Sequence, residues 1–422
     1  MIARSVVVLG TSAFFLMLAG IGLRSPYLAV ASLPIFLFIV LAHLLENKPH
    51  LNITVERTSS KVSIYEGESN EFKIRINNSG PDIDVLEIFD AIPEELDLIA
   101  GTNHFVGSLR NGDDVEFTFM VSPKVFGMYK VGPIRVRSLD LLGLFLEEET
   151  IDSYFDLKVY PEVQYVSKLQ IKPRKARNWP GEILTRKSGT SQAFYGIRSY
   201  MPGDSLRRIN WKASSRSEEL LSNQFMSEFG GDVIIVLDLR SASVLGDPPD
   251  STMTYATRAA AMVAYRLIRD RNRVGMIALG NSLYKIRPGF GRRQFDRLLT
   301  CMVEIKPGDT WNIGNLAGYL SMFFSKMTQI IVITSLMDDK SYESVAEISS
   351  KGYQVLVISP SPFGFERRCS RDGQVERIAE ELVRLEREMK MSLLRRCATV
   401  VDWNVRESLD QALRQESPIW AR

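Results

Sequence analysis

Hydrophobic and polar positions divide the chain into three textures. From Val6 to Leu45 almost every position is apolar, broken only at Arg24-Ser25-Pro26. Each half, Val6–Leu23 and Tyr27–Leu45, approaches the ~20 residues a helix needs to cross the hydrocarbon core of a bilayer. In lipid such a segment must be helical, because no solvent pairs with open backbone groups. The pattern predicts a transmembrane helical hairpin over residues 1–50, with spans at 6–23 and 27–45. Pro26 falls at the turn and Pro34 inside the second span, where a kink is tolerated. A second span follows directly with no small-residue cleavage site between, which argues against a removed signal peptide. Arg4, Lys48, Arg57 and Lys61 stand on the terminal side and Arg24 alone in the connector. The positive-inside bias then puts the protein in the cell membrane with its later domains in the cytoplasm.

From Leu51 to about Tyr160 the period changes to two. Runs such as Asn52–Arg57, Glu71–Ile76, Asp114–Phe119 and Ile134–Arg137 alternate apolar with polar residues, the mark of strands with one dry and one wet face. Turn clusters at Glu66–Glu68, Asn77–Pro81 and Arg110–Asp113 separate them. Short, evenly spaced strands predict an all-β immunoglobulin-like sandwich over 51–160, serving as spacer or docking surface. From about Asp232 onward, apolar strands (Val233–Leu237, Val274–Leu279, Ile330–Thr334, Val355–Ile358, Thr399–Trp403) alternate with helical segments. That alternation predicts a Rossmann-type α/β domain over 231–422, its parallel sheet covered on both faces. Ligands on such sheets sit beyond the carboxyl ends of the strands, here the loops after Leu237 and Ile333.

Composition excludes several classes. With 422 residues, 45% hydrophobic and 24% charged, the chain is neither disordered nor a disulfide scaffold. Three cysteines (Cys301, Cys369, Cys397) in no paired spacing exclude a zinc ribbon, and three histidines (His43, His50, His104) leave little for a histidine base. Lys+Arg 52 against Asp+Glu 50 gives +2 overall, yet the linking stretch 161–230 is strongly basic. Between Val166 and Arg216 it holds 12 Lys and Arg against Glu182 and Asp204, an excess of 10, interleaved with Trp179, Phe194, Tyr195, Tyr200 and Trp211. Such a segment suits an anionic partner: membrane lipid of the cytoplasmic leaflet or an acidic protein face. No specific nucleic-acid binding is expected.

The run from Ser188 to Lys212 resembles the signature of the domain of unknown function fifty-eight family. Gly189, Phe194, Arg198, Tyr200, Gly203, Asp204, Arg207, Ile209, Trp211, Lys212 and Arg216 match its pattern, whereas Ala193 replaces a usual Glu and Ile197 a usual Leu. The resemblance implies two N-terminal membrane spans, a β-sandwich and a C-terminal von Willebrand factor A-like α/β domain. Within the motif, Pro202-Gly203-Asp204 is a turn triplet, and Asp204 is the acid within reach of Arg198, Arg207 and Arg208, which predicts a structural ion pair or turn cap. Arg198, Tyr200, Gly203, Asp204, Arg207, Trp211, Lys212 and Arg216 are the candidate docking residues.

Domains of the von Willebrand A-like kind often hold Mg²⁺ through a D-x-S-x-S loop. Here Asp238 matches, but Arg240 and Ala242 stand at the serine positions and Ser335 where related domains carry an acid. These departures predict a degenerate metal site without Mg²⁺ or other cofactor, in which the Arg240 guanidinium pairs with Asp238 in place of a cation. No GxSxG, HExxH or GxxxxGK[ST] motif is present, and Gly289–Arg293 reads as a hairpin tip before a helix from Gln294. The expectation is a non-enzymatic, membrane-anchored adaptor. Its implied partner is a MoxR-type AAA+ ATPase acting in assembly or maturation of envelope complexes. The alternative is an extracytoplasmic adhesion or ligand-binding receptor.

Overall fold

The structure is a computed structural model describing residues 4–44, 51–139, 146–164, 166–167, 183–201, 204–229, 232–364 and 374–415. The chain divides into two compact units at Val159/Tyr160. The first opens with helices α1 (Arg4–Gly22) and α2 (Pro26–Leu44), 19 residues each. They pack closely at Gly20, where a Cβ would lie 2.6 Å from the Ala29 nitrogen. Phe15, Leu33 and Leu37 are each more than 60% exposed. The expected spans thus form as helices, but among the described residues no helix is long and apolar enough to cross a membrane. At 1.5 Å per residue, 19 residues reach about 28 Å, just under a hydrocarbon core of about 30 Å.

Among the described residues eleven strands follow: β1 (Ile53–Ser59), β2 (Ser63–Tyr65), β3 (Asn70–Asn78), β4 (Ile83–Asp90), β5 (Leu96–Gly101), β6 (His104–Leu109), β7 (Asp114–Pro123), β8 (Gly127–Val131), β9 (Ile134–Leu139), β10 (Leu146–Ile151) and β11 (Phe155–Tyr160). They form antiparallel sheets in the orders β1-β3-β7-β5, β10-β9-β4-β6 and β2-β11-β8. This is a β-sandwich. Strand β3 shows why: Phe72, Ile74 and Ile76 are buried while Glu71, Lys73 and Arg75 face water. Phe72 stacks on Phe119 and meets the edge of Phe155, both at 5.4 Å between ring centres. Each such buried side chain stabilises the fold by about 1.5–3 kcal/mol.

One charge in this core corrects the sequence reading. Arg57, counted above among charges at the membrane surface, has a side chain only 3% exposed. Its Nε donates to Asp90 Oδ2 at 3.1 Å and Nη2 to Oδ1, while Nη1 donates to the carbonyls of Val131 (3.0 Å) and Ser153 (2.7 Å). Gly132, at φ +114°, is required there, because a Cβ would meet the Ser153 oxygen at 2.3 Å.

The second unit begins with a long antiparallel pair, β12 (Ile183–Ser199) and β13 (Leu221–Phe229), with a one-turn helix α3 (Trp211–Ser214) between them. The described residues 183–201 and 204–229, expected as part of a separate linking segment, fall in the same unit as the α/β part. Lys168, Lys172, Arg174, Lys175, Arg177 and Trp179 lie outside the described residues. Next come β14 (Asp232–Asp238), α4 (Thr252–Arg269), β15 (Arg273–Leu279), β16 (Leu283–Gly289), α5 (Arg292–Glu304), α6 (Leu316–Phe323), β17 (Gln329–Ile333), α7 (Asp339–Ser350), β18 (Gln354–Pro360), α8 (Gln374–Leu394), β19 (Thr399–Trp403) and α9 (Leu409–Gln415). The sheet order is β16-β15-β14-β17-β18-β19. Strands β14 and β17 are buried along almost their whole length, as expected of central strands with helices on both faces.

The sheet is mixed rather than parallel. Strand β16 runs antiparallel to β15, since the three residues between them allow only a hairpin and a parallel return needs a dozen or more. Gly289–Arg293 is accordingly not a hairpin tip; it is the turn from β16 into α5. The chain builds outward from β14 to β16, then returns to β17 on the other side. The strand order reverses between β14 and β17, the position where open α/β sheets present a crevice.

Candidate functional site

Two groups of residues compete as the site. The first is the excursion between β12 and β13. Its backbone is tied to the start of β13 by Asn210 N–H donating to Leu221 O (2.8 Å) and to the residue before that strand by Tyr200 N–H donating to Leu220 O (2.7 Å), with Ile209 bridged to Ser222 and buried. Asn210 caps α3, its Oδ1 accepting from Ala213 N–H at 3.0 Å, and its Nδ2 donates to Asn223 Oδ1 at 2.8 Å. Asp204 fixes the turn: Oδ2 accepts from Met201 N–H (3.1 Å), Oδ1 accepts from Arg198 Nη2 (2.7 Å), and Tyr200 Oη donates to the Asp204 carbonyl (3.4 Å). The Met201 amide and the Arg198 guanidinium hold its carboxyl below the usual range. Gly203 lies outside the described residues.

With the polar groups of this turn used internally, the side chains left outward are of two kinds. Met201, Leu206 and Trp211 are 61%, 68% and 67% exposed. Arg207, Lys212 and Arg216 are exposed among them. The segment thus presents large apolar side chains set among cations on a hydrogen-bonded frame.

The second group sits at the carboxyl ends of β14 and β17, where the strand order reverses. Asp238 ends β14, buried and carrying several donors. Ser243 Oγ (2.6 Å) and Thr334 Oγ1 (2.9 Å) donate to its Oδ2. Arg240 is buried beside it, Nε donating to Asp238 Oδ1 (2.8 Å) and Nη2 to Oδ2 (2.9 Å). The far side of the same guanidinium meets Asp338: Nη1 donates to Oδ2 at 3.1 Å and Nη2 to Oδ1 at 3.2 Å. Nη2 also donates to Ser341 Oγ (2.6 Å), and the Ser341 hydroxyl bonds Asp338 in turn. Burial pulls the Arg240 pKa down, but hydrogen bonds and charge from Asp238 and Asp338 outweigh it and hold it above its ordinary value. For Asp338 burial works upward, yet Arg240 and Ser341 bring its carboxyl below the usual range.

The structure brings Asp238 and Arg240 together and leaves two other candidates aside. Ala242 is exposed on the 3₁₀ turn Ser241–Ser243. Ser335 is buried with its hydroxyl unpartnered, and its carbonyl accepts from Arg387 Nε at 3.2 Å. Asp338 stands out in the sequence only as an acid that could rescue a weak metal site, and the structure instead sets it against the Arg240 guanidinium; Ser341 is not singled out there. Arg387 was missed too. It looks like one more charge on a solvated helix, but it is buried, donating to Ser359 Oγ (2.9 Å) and Asp402 Oδ1 (2.8 Å). Among the described residues no group of three or more His, Cys, Asp or Glu side chains is placed to hold a metal ion. The space between the Asp238 and Asp338 carboxylates is filled by the guanidinium.

Fold and site define a β-sandwich unit followed by a mixed-sheet α/β unit with a buried Arg–Asp cluster at its strand ends and a basic, aromatic excursion before it. Comparison with known proteins agrees with the motif: the family described as protein of unknown function DUF58 matches residues 196–365. The chain is 22% identical over 276 residues to the uncharacterized protein YeaD of Bacillus subtilis (strain 168), covering 64% of this chain and 66% of that one. It therefore spans just under two thirds of that relative's length. Among solved structures, it is similar to a CARDB domain from Pyrococcus furiosus (20% identity, TM-score 0.21, 27% of this chain and 96% of that one). It is also similar to the cupredoxin domain of amoB from Nitrosocaldus yellowstonii (10% identity, TM-score 0.21, 30% and 97%).

Proposed function

We propose that this chain is a non-enzymatic, membrane-anchored adaptor that docks a protein partner through the excursion between β12 and β13. The observation that carries the reading is the exposure of Trp211, Leu206 and Met201 among Arg207, Lys212 and Arg216 on a frame held by Asp204 and Asn210. Tryptophan and arginine dominate binding energy at interfaces, and a rigid frame spares the ordering cost of association. The cations call for an acidic face on the partner; the family resemblance points to a MoxR-type AAA+ ATPase. Helices α1 and α2, with apolar side chains turned outward, supply the membrane anchor, and the β-sandwich and the α/β unit lie in the cytoplasm. The α/β unit is of von Willebrand A-like type, a reading supported by the central first strand and the antiparallel third. Arg240 takes the place of its cation, so the adaptor uses no Mg²⁺.

Pull-down from detergent-solubilised membranes tests the docking surface. Recovery of the ATPase should fall at least about tenfold in Trp211→Ala and Arg207→Ala, and unchanged recovery in both sinks the reading. Micromolar Mg²⁺ binding to the wild-type chain by calorimetry would refute the cation-free site. A reporter fused after Arg422 that is active only outside the cell would favour a receptor instead.

A further inference from the structure

Helix α8 carries an apolar stripe on the wrong side. Its last turns are docked on the sheet through Arg387, Met391 and Leu394, which are 3%, 1% and 0% exposed. At 100° per residue the opposite face is occupied by Ile378, Leu382, Leu385 and Met389, spaced 4-3-4. A surface helix normally turns charge to water on that side. Here those four side chains are 56%, 62%, 54% and 67% exposed. The spacing is that of a coiled-coil seam, in which alternate steps of three and four keep one edge facing a second helix.

Charge says what kind of helix. The positions bordering the seam are Glu381 and Glu388 on one side and Glu386 on the other, all exposed. Arg384 meets Glu388 at 3.4 Å, an exposed pair that holds little energy. The largely buried Lys390 is shared between Glu386 and Asp339, each at 2.7 Å, so it neutralises Glu386 only in part. Over residues 378–389 the exposed charges are Arg384 against Glu380, Glu381, Glu386 and Glu388, giving 1 − 4 = −3. A second copy is a poor occupant. Parallel pairing would set Glu381 against Glu386 of the other copy, and antiparallel pairing would set Glu381 against Glu388. We infer that the outer face of α8 is a docking seam for an amphipathic helix of a different protein, one whose apolar stripe is bordered by Lys and Arg.

This inference rests on the reading of the chain as an interaction protein, but its test is separate. The full chain is placed in nanodiscs of zwitterionic lipid, with empty discs as blank, and titrated against labelled synthetic helical peptides by fluorescence anisotropy. One peptide has leucines at 4-3-4 spacing bordered by lysines, one has the same leucines bordered by glutamates, and one has the lysine peptide's composition scrambled. The lysine peptide should bind at least about tenfold more tightly than either of the others. The double variant Leu382→Gln/Leu385→Gln, both sites exposed, should lose that binding while its thermal unfolding is unchanged. Equal binding of the lysine and glutamate peptides overturns the inference, as does binding that survives the double variant or self-association that it abolishes. Trp211→Ala should leave peptide binding intact. A failed pull-down at the excursion with retained peptide binding would remove the first reading and keep this one.

Discussion

Each unit of the molecule buries an arginine, and the two sites do opposite things with it. In the sandwich, Arg57 has one carboxylate partner, Asp90, and spends its other donors on backbone carbonyls. Charge balances at zero inside a closed core. In the α/β unit, Arg240 lies between two carboxylates, so 1 − 2 leaves a residual negative charge, spread over hydroxyls that Ser243 and Thr334 donate to Asp238 and Ser341 donates to Asp338. Asp90 is fully buried, whereas the Asp338 side chain keeps 20% exposure. The first is a clamp within packing; the second sits at the end of the strands, where one carboxylate stays in contact with solvent. Burial alone does not separate a structural ion pair from a candidate site. The count of charges and the access of one member do.

The largest effect should come from breaking the closed pair. Arg57→Ala leaves Asp90 buried without a partner and should cost about 3–5 kcal/mol. All five tryptophans lie in the second unit, so this loss should appear in far-UV circular dichroism and leave tryptophan fluorescence unmoved. Arg240→Ala should cost less, about 2–3 kcal/mol, because Asp338 can take up water, and it should register in the fluorescence transition. Added Mg²⁺ should raise the melting temperature of Arg240→Ala and leave that of the wild type where it was.

Acid separates the units further. Burial, only partly offset by Arg57, pushes the Asp90 carboxyl up to about 6. A raised acid pKa favours the folded state below the unfolded value of about 4, and that contribution is lost as pH rises through 6. The Asp338 carboxyl is lowered, so its contribution is present above the ordinary carboxylate range and lost as pH falls through it. Between pH 6 and 4 the sandwich should therefore gain stability while the α/β unit does not, which paired dichroism and fluorescence melts would register; a common shift of both would count against it. The smallest change is Thr334→Val, which removes one hydroxyl from Asp238 and should cost about 1 kcal/mol in the fluorescence transition.

The sandwich was legible because a strand with one wet face writes its period into neighbouring residues, as Phe72 to Ile76 do. The buried strands β14 and β17 were equally plain as apolar runs. Strand β16 was not, since Leu283–Gly289 is an edge of intermediate burial with no clean alternation. The Asp238–Arg240 pair was readable from a spacing of two. Asp338 and Ser341 join it from 98 and 101 residues beyond Arg240; the loop carrying Asp338 was readable as the second strand end of the site, whereas the part of Ser341 on the following helix was not. Arg57 misled for the same reason: a charge near an apolar segment looks like a surface anchor until the fold closes around it. The α8 stripe was not singled out from sequence, because charged residues dominate that helix and which face the sheet covers is fixed only by the fold.

The bridge from Arg240 to Asp338 staples the first strand's loop to the start of α7. The guanidinium thus acts as a rivet between two loops that neighbouring strands deliver from distant parts of the chain.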